Sequence, residues 1–276
     1  MAAAVAVAAA AAIAFGWSTA LMHHGASTAP GGVRTADLLR HVVAQWRWLV
    51  GMAASLTGLA LHALALHLGS LALVQPVVVT GLIFSIVFRE ALDGRLPSRR
   101  VMGWVSITGV GLVLLVSASS SARVAGTSDG SAAAVILVVG AVTAVLLTSF
   151  AGRKATSRAG LLLGAAAGVV FGLIAGALKA TTEAASNHEL LSSWPLYVLV
   201  PLGASGFLLN QRAYHQAPLS SSIPALNTIN PLVAVAFGIL VFHEHPARSV
   251  LAVVAECAGL ALVLAGIFFL ARSEAP

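Results

Sequence analysis

The sequence predicts an all-α polytopic membrane protein, a bundle of nine transmembrane helices arranged as an inverted repeat, and three observations carry that prediction. Hydrophobic residues make up 59% of the 276 positions and charged residues only 9%, where a soluble domain is about a quarter charged. Nine apolar stretches approach the roughly 20 residues that a helix needs to cross a hydrocarbon core. The order of features in 58–116 also returns in 206–268: an apolar helix, a short polar break, a helix with an inner proline closing on Phe-x-Glu, a basic link, and a glycine-rich apolar helix.

Taken in order, the first stretch is 2–22. It has no basic leader and is too long for a signal-peptide core, so it is expected to be retained; whether a tenth helix lies upstream is left open. Segment 48–68 carries Gly58 and His62, and 71–88 carries Gln75 and Pro76 before closing on Phe88-Arg89-Glu90. Pro76 and Pro224 are expected near helix starts, where the missing N–H costs little. After 101–117 comes a Ser/Gly-rich link, 117–131, that divides a four-helix half (1–120) from a five-helix half (121–276) of one integrated membrane domain.

The second half begins with 131–150 and continues with 161–185, which places Gly160, Gly164, Gly168, Gly172 and Gly176 at every fourth position, followed by Lys179. In lipid such a stripe lets a neighbouring backbone come close. Leucine at Gly168 or Gly172 should therefore be damaging, and leucine at Val169 tolerated on a lipid-facing or cavity-facing side. Segments 194–211 and 221–242 follow, the latter with Asn227, Thr228 and Asn230 before Pro231 and Phe242-His243-Glu244 at its end. Segment 249–270 holds Glu256 and Cys257, the single cysteine, so no intramolecular disulfide forms. The first segment matches the sixth through Phe15-Gly16 and Phe171-Gly172, yet its ending, 19–24, also resembles 148–153; the sequence does not choose between them.

The net charge of +6 is distributed as a topology signal. With nine spans, Arg34, Arg40, Arg47, Arg89, Arg95, Arg99, Arg100, Arg153, Lys154, Arg158, Arg212 and Arg272 fall on one side, and Arg123 and Arg248 on the other. The positive-inside rule then places the N-terminus outside and the C-terminus inside a cytoplasmic membrane. The basic residues are a topogenic signal, and no nucleic-acid partner is expected.

The stretches Leu71-Ala-Leu-Val-Gln-Pro76-Val with Phe88-Arg-Glu90, and Ala225-Leu-Asn-Thr-Ile-Asn-Pro231-Leu-Val with Phe242-His-Glu244, resemble the paired signatures of EamA-like proteins of the drug/metabolite transporter superfamily. The chain also resembles bacterial relatives of the NIPA-type magnesium transporters, which share the superfamily and a nine-helix count; typical EamA-like members have ten. The resemblance implies a compact bundle with a central cavity, working by alternating access.

Candidate site residues follow from the cost of burying polar groups in lipid. Lys179 needs a partner, and Glu256 is the only acid well inside a predicted span. Counted from the predicted outer ends at about 1.5 Å per residue, Lys179, Glu256, His62 and Gln75 share one depth of roughly 6 to 10 Å. The alternative is a structural Lys179–Glu256 ion pair, with His62 simply hydrogen-bonded. Asn227 and Asn230 beside Pro231 form a second polar group, either a substrate contact or a kink satisfied by its own side chains. Glu90 and Glu244 are expected at helix ends near water, and His243-Glu244-His245 is a weak metal signal.

No phosphate loop or nucleophile motif is present, so no enzyme, cofactor or bound metal is expected. The expected function is a secondary permease for a small organic metabolite or drug-like compound, with protons as the coupling ion if one is used; a homodimer is compatible with the sequence. The alternatives are a NIPA-like divalent-cation transporter, which one deep glutamate beside a lysine suits poorly, and a non-transporting scaffold or partner subunit.

Overall fold

A computed structural model describes residues 1–27, 40–92, 94, 98–118, 129–152, 156–216, 219–244 and 249–273, and these are helical with short connections. The principal helices are α1 (Ala2–Ser27), α2 (Trp46–Leu68), α3 (Leu71–Val79), α4 (Gly81–Leu92), α5 (Arg99–Ala118), α6 (Gly130–Ala151), α7 (Ser157–Ser186), α8 (Trp194–Gln216), α9 (Leu219–Phe242) and α10 (Val250–Ser273). Six described helical stretches are long and apolar enough to cross a membrane: Ala2–Met22, Trp46–Leu68, Leu71–Leu92, Gly130–Ala151, Arg158–Ser186 and Ala225–Phe242. Two shorter apolar stretches, Trp194–Asn210 and Val250–Gly266, bring the number to eight. The remaining predicted segment, 101–117, is helical as α5 but is not among these eight. The loops bearing Arg34, Arg95, Arg123, Arg153, Lys154 and Arg248, and most of link 117–131, lie outside the described residues.

Helix starts follow ordinary capping chemistry. Ser70 accepts from the Leu73 N–H at α3, and Thr156 from the Ala159 N–H at α7. At α6, Asp129 accepts from the N–H groups of Ser131 (2.9 Å) and Ala132 (3.1 Å) and from the Ser131 hydroxyl. These bonds, the Ser131 hydroxyl foremost, hold the Asp129 carboxyl below its ordinary value. Its contribution is therefore present above that ordinary value and lost as the pH falls through the lowered one. At constant pH, Asp129→Ala is expected to speed amide exchange in the first turn of α6 while leaving α7 protected, and acidification to lower the protection factors of that turn relative to intrinsic exchange.

Helix α7 is the axis of the bundle, and its glycines explain why. Added Cβ atoms show the fit: at Gly168 a Cβ would lie 2.9 Å from the Leu226 carbonyl oxygen, and at Gly172 2.6 Å from Val233 Cβ. At Gly164 it would overlap the Ser222 carbonyl, and at Gly176 the Phe237 ring. The partner positions rise together, 164 to 176 against 222 to 237, so α7 and α9 run parallel and in close backbone contact. Val169, between the ladder positions, is also buried, within the main core cluster. The expected tolerance of leucine there is therefore corrected: Val169→Leu should overpack the core by about 1 to 3 kcal/mol. Val138→Leu, on the exposed face of α6, should leave the melting temperature unchanged.

The contacts bear on the match of the first helix. Phe15 of α1 lies against Gly58 of α2, and Phe171 of α7 against Gly206 of α8. The glycine that follows each phenylalanine touches a later helix: Gly16 meets Phe84 of α4, and Gly172 meets Val233 of α9. Trp17 meets Phe88 one turn on, with ring centroids 5.0 Å apart, so α1 and α4 are parallel, as are α7 and α9. Helices α1 and α7 thus make matching contacts, each with the helix that follows it and with a later, parallel helix. Helices α3 and α9 each begin five residues before a proline, Pro76 and Pro224. Finally α5 and α10 pair with each other: Trp104 stacks on Phe269, Thr108 faces Gly266, and Gly111 faces Gly259 and Val263. One series ascends while the other descends, so these two counterparts are antiparallel.

One predicted element divides. The stretch expected as a single helix over 71–88 is two helices, α3 and α4, meeting at Thr80. Pro76 is the sixth of nine residues in α3 rather than a helix-start residue. It cannot donate to the Ala72 carbonyl, and this loosens the ladder just before the break. The Thr80 hydroxyl and N–H both donate to the Val77 carbonyl, at 2.6 and 3.1 Å, closing the end of α3.

Candidate functional site

The buried charge of the bundle is a pair between Lys179 of α7 and Glu244, two residues beyond the last residue of α9. The ammonium donates to Glu244 Oε1, and the two side chains are 11% and 9% exposed. The same oxygen accepts from the Leu71 N–H at 2.9 Å, and Oε2 from the Ala72 N–H at 3.3 Å. These N–H groups open α3, where the helix macrodipole is positive and donors lack intrahelical partners. The Phe242 ring lies 4.6 Å from Lys179 Nζ and supplies a cation–π face.

Local backbone geometry brings the carboxylate there. Helix α9 stops at Phe242, His243 turns through a left-handed conformation (φ +51°), and the Glu244 N–H returns to the Gly238 carbonyl at 3.1 Å. The side chain then folds inward over Gly238, where a Cβ would lie 2.5 Å from Oε2 and 3.2 Å from Leu71 Cβ. The glycine is what leaves room for the carboxylate against α3.

This corrects two expectations. The partner of Lys179 is Glu244, not Glu256, which is half-exposed on α10, a helix packed on α5 and α9. Nor is Glu244 a boundary residue in water: it is buried among three helices, whereas Glu90, at the matching position near the end of α4, is only partly buried. Residue His245 of the weak metal signal lies outside the described residues. The four residues expected at one depth form no single cluster. His62 and Gln75 do meet, Nε2 to Nε2 at 3.2 Å in a buried contact. Gln75 stands one turn along α3 from Leu71, so this bond lies about 6 Å from the Glu244 seat.

Asn227 and Asn230 occupy a different level. Asn227 is eleven residues before Gly238, close to three full turns, and so shares the face of α9 that meets α3. Helix α3 descends along that face: its Val74 and Val77 share the main core with Ala234 and Phe237. Asn230 presents its backbone to Gly168 and Gly172, and its Oδ1 is buried with no hydrogen-bond partner among the described residues. Buried oxygens of Asn210, Ser222 and Thr228 are likewise unpartnered. Asn230 and Thr228, in the interior of α9, thus carry open oxygens, while the end of that helix holds a closed charge pair.

The signal for Glu244 was present in the sequence as the repeated Phe-x-Glu. It lay outside every predicted span, and only the left-handed turn at His243 carries it back among helices. Of the packing residues, Gly164, Gly168, Gly172 and Gly176 all face α9.

No protein-family model matches the chain, and no solved structure matches it. It is similar to an uncharacterized protein of Corynebacterium glutamicum, with 26% identity over 249 residues that span 87% of this chain and 85% of that one.

Proposed function

We propose that this protein is a secondary carrier for a small organic solute, with two inverted units, 1–118 and 157–273, that alternate access to a site between them. The observation that carries this reading is the matched packing of counterpart helices: parallel α1/α4 and α7/α9, joined by an antiparallel α5/α10 pair. Carriers use such repeats to enclose a midplane site beside interrupted helices. The Thr80 break, the Asn230 oxygen and the His62–Gln75 bond are the polar groups that support such a site here. The paired Pro and Phe-x-Glu segments that resemble EamA-like transporters point the same way.

In this mechanism Glu244 is the closed gate of one end, because it ties α3 of the first unit to α7 and α9 of the second. Glu90 is its counterpart at the other end and closes on the start of α9 when Glu244 lets go. With the N-terminus outside, the Glu244 end is external and the Glu90 end cytoplasmic.

Two experiments test this reading. Reporters in 95–100 and 153–158 are expected to score cytoplasmic and one in 122–129 external; all three on one side would break the inverted arrangement. A thermal-shift screen of metabolites on purified protein, followed by uptake of each hit into proteoliposomes, should yield a transported solute. Hits that bind without uptake would favour a non-transporting scaffold.

A further inference from the structure

We infer that the buried Lys179 ammonium, with the Leu71 and Ala72 N–H groups, is an exchangeable carboxylate site, that Glu244 is its tethered occupant, and that the transported solute carries a carboxylate that takes its place. The solute class rests on the carrier reading; the site itself does not. The seat is built around a cation that cannot be left bare. Lys179 is nine-tenths buried, and its described ion-pair partner is Glu244. When Glu244 withdraws, the ammonium and two helix-start donors lose their acceptor together, and stranding a buried charge is strongly unfavourable. A neutral solute would leave that cost standing at every opening. A carboxylate removes it, since its two oxygens reproduce the present contacts: one accepting from Lys179 Nζ and the Leu71 N–H, the other from the Ala72 N–H.

The occupant is also held in a way that permits exchange. Glu244 belongs to no helix, and its backbone is tied through one N–H to the Gly238 carbonyl beyond the left-handed His243. The other donors, by contrast, are fixed: Lys179 projects from the most buried helix of the bundle, and Leu71 and Ala72 open a helix whose Leu71, Leu73, Val74 and Val77 are all core residues. A rigid donor set facing a carboxylate on a terminal turn is the arrangement of a receptor whose ligand is tethered. Gly238 and the Phe242 ring shape it, the first by leaving space at the oxygen and the second by covering the ammonium.

The test uses purified full-length Glu244→Ala with acetate as the probe. Acetamide, of the same shape without the charge, and equal chloride are the controls. Glu244→Ala should melt below the wild type, and about 100 mM acetate should restore at least half of the loss in a saturable manner, as a ligand of the folded state does. Acetamide and chloride should not, and Lys179→Met/Glu244→Ala should respond to none of the three. Should Glu244→Ala not fold, Glu244→Ser, which likewise leaves the seat vacant and the ammonium unpaired, carries the same readout. A folded variant indifferent to acetate, or equally stabilised by acetamide, overturns the site. Acetate rescue with no carboxylate uptake in wild-type proteoliposomes would keep the site and overturn the solute class; rescue with no uptake of any screened solute would count against the carrier reading instead.

Discussion

Lys179→Met is expected to destabilise the folded protein by about 3 to 5 kcal/mol, the usual penalty for removing one partner of a buried ion pair. It leaves the Glu244 carboxylate in the bundle with two backbone donors and no cation. Glu244→Gln should cost somewhat less, because glutamine still accepts from Leu71 or Ala72, but it leaves the ammonium facing an aromatic ring. The double variant should be more stable than the sum of the single losses, since it buries no unpaired charge, with a coupling of about 1 to 3 kcal/mol. A cycle read by denaturant or thermal melting in detergent checks this. The same cycle with Glu256→Gln in place of Glu244→Gln should be additive. Coupling to Glu256 and none to Glu244 would reverse the assignment.

The second large effect belongs to the glycine ladder. Gly172→Leu places a branched side chain where even a Cβ would lie 2.6 Å from Val233 Cβ and 2.8 Å from the Asn230 carbonyl oxygen, and Gly176→Leu places one on the Phe237 ring. The backbone contacts on α9 cannot yield without separating two helices along their length, so the cost should exceed the usual overpacking range of about 1 to 3 kcal/mol. Little folded protein should be recovered from the membrane fraction for either. Gly203→Leu on α8, whose added Cβ meets nothing within 4 Å, should be recovered at wild-type yield. Equal yields for all three would mean that α7 does not pack through its glycines.

How far the sequence announced these features depends on the range of the interaction. Apolar length and small-residue spacing are local, so the helices and the ladder were legible from residues alone, and the ladder's partner helix was not. Registers between helices are non-local: Phe15 lies on Gly58 and Phe171 on Gly206, and no spacing within either helix contains that information. The lysine's need for a partner was legible from its cost in lipid, but the choice of Glu256 followed from depth counting along straight helices. Depth counting fails where a chain turns back, and Glu244 returns through a non-glycine residue with positive φ, a conformation that composition does not announce. The break at Thr80 was hidden for a related reason. Pro76 marks a weak point in the helix, but its distance from the start of α3 depends on a cap at Ser70 and not on apolar length.

The account stands on Glu244 being a gate and not a static brace, and labelling of a midplane thiol tests that most directly. In a Cys257→Ser background, Asn230→Cys should react slowly with a membrane-impermeant thiol reagent applied to the Glu244 end, since that end is closed. Adding Glu244→Gln should raise the rate several-fold, and adding Glu90→Gln instead should lower it while raising labelling from the opposite end. Labelling unchanged by either substitution, or raised from both ends at once by Glu244→Gln, would contradict alternating access and leave Lys179 and Glu244 as a structural pair in a rigid bundle.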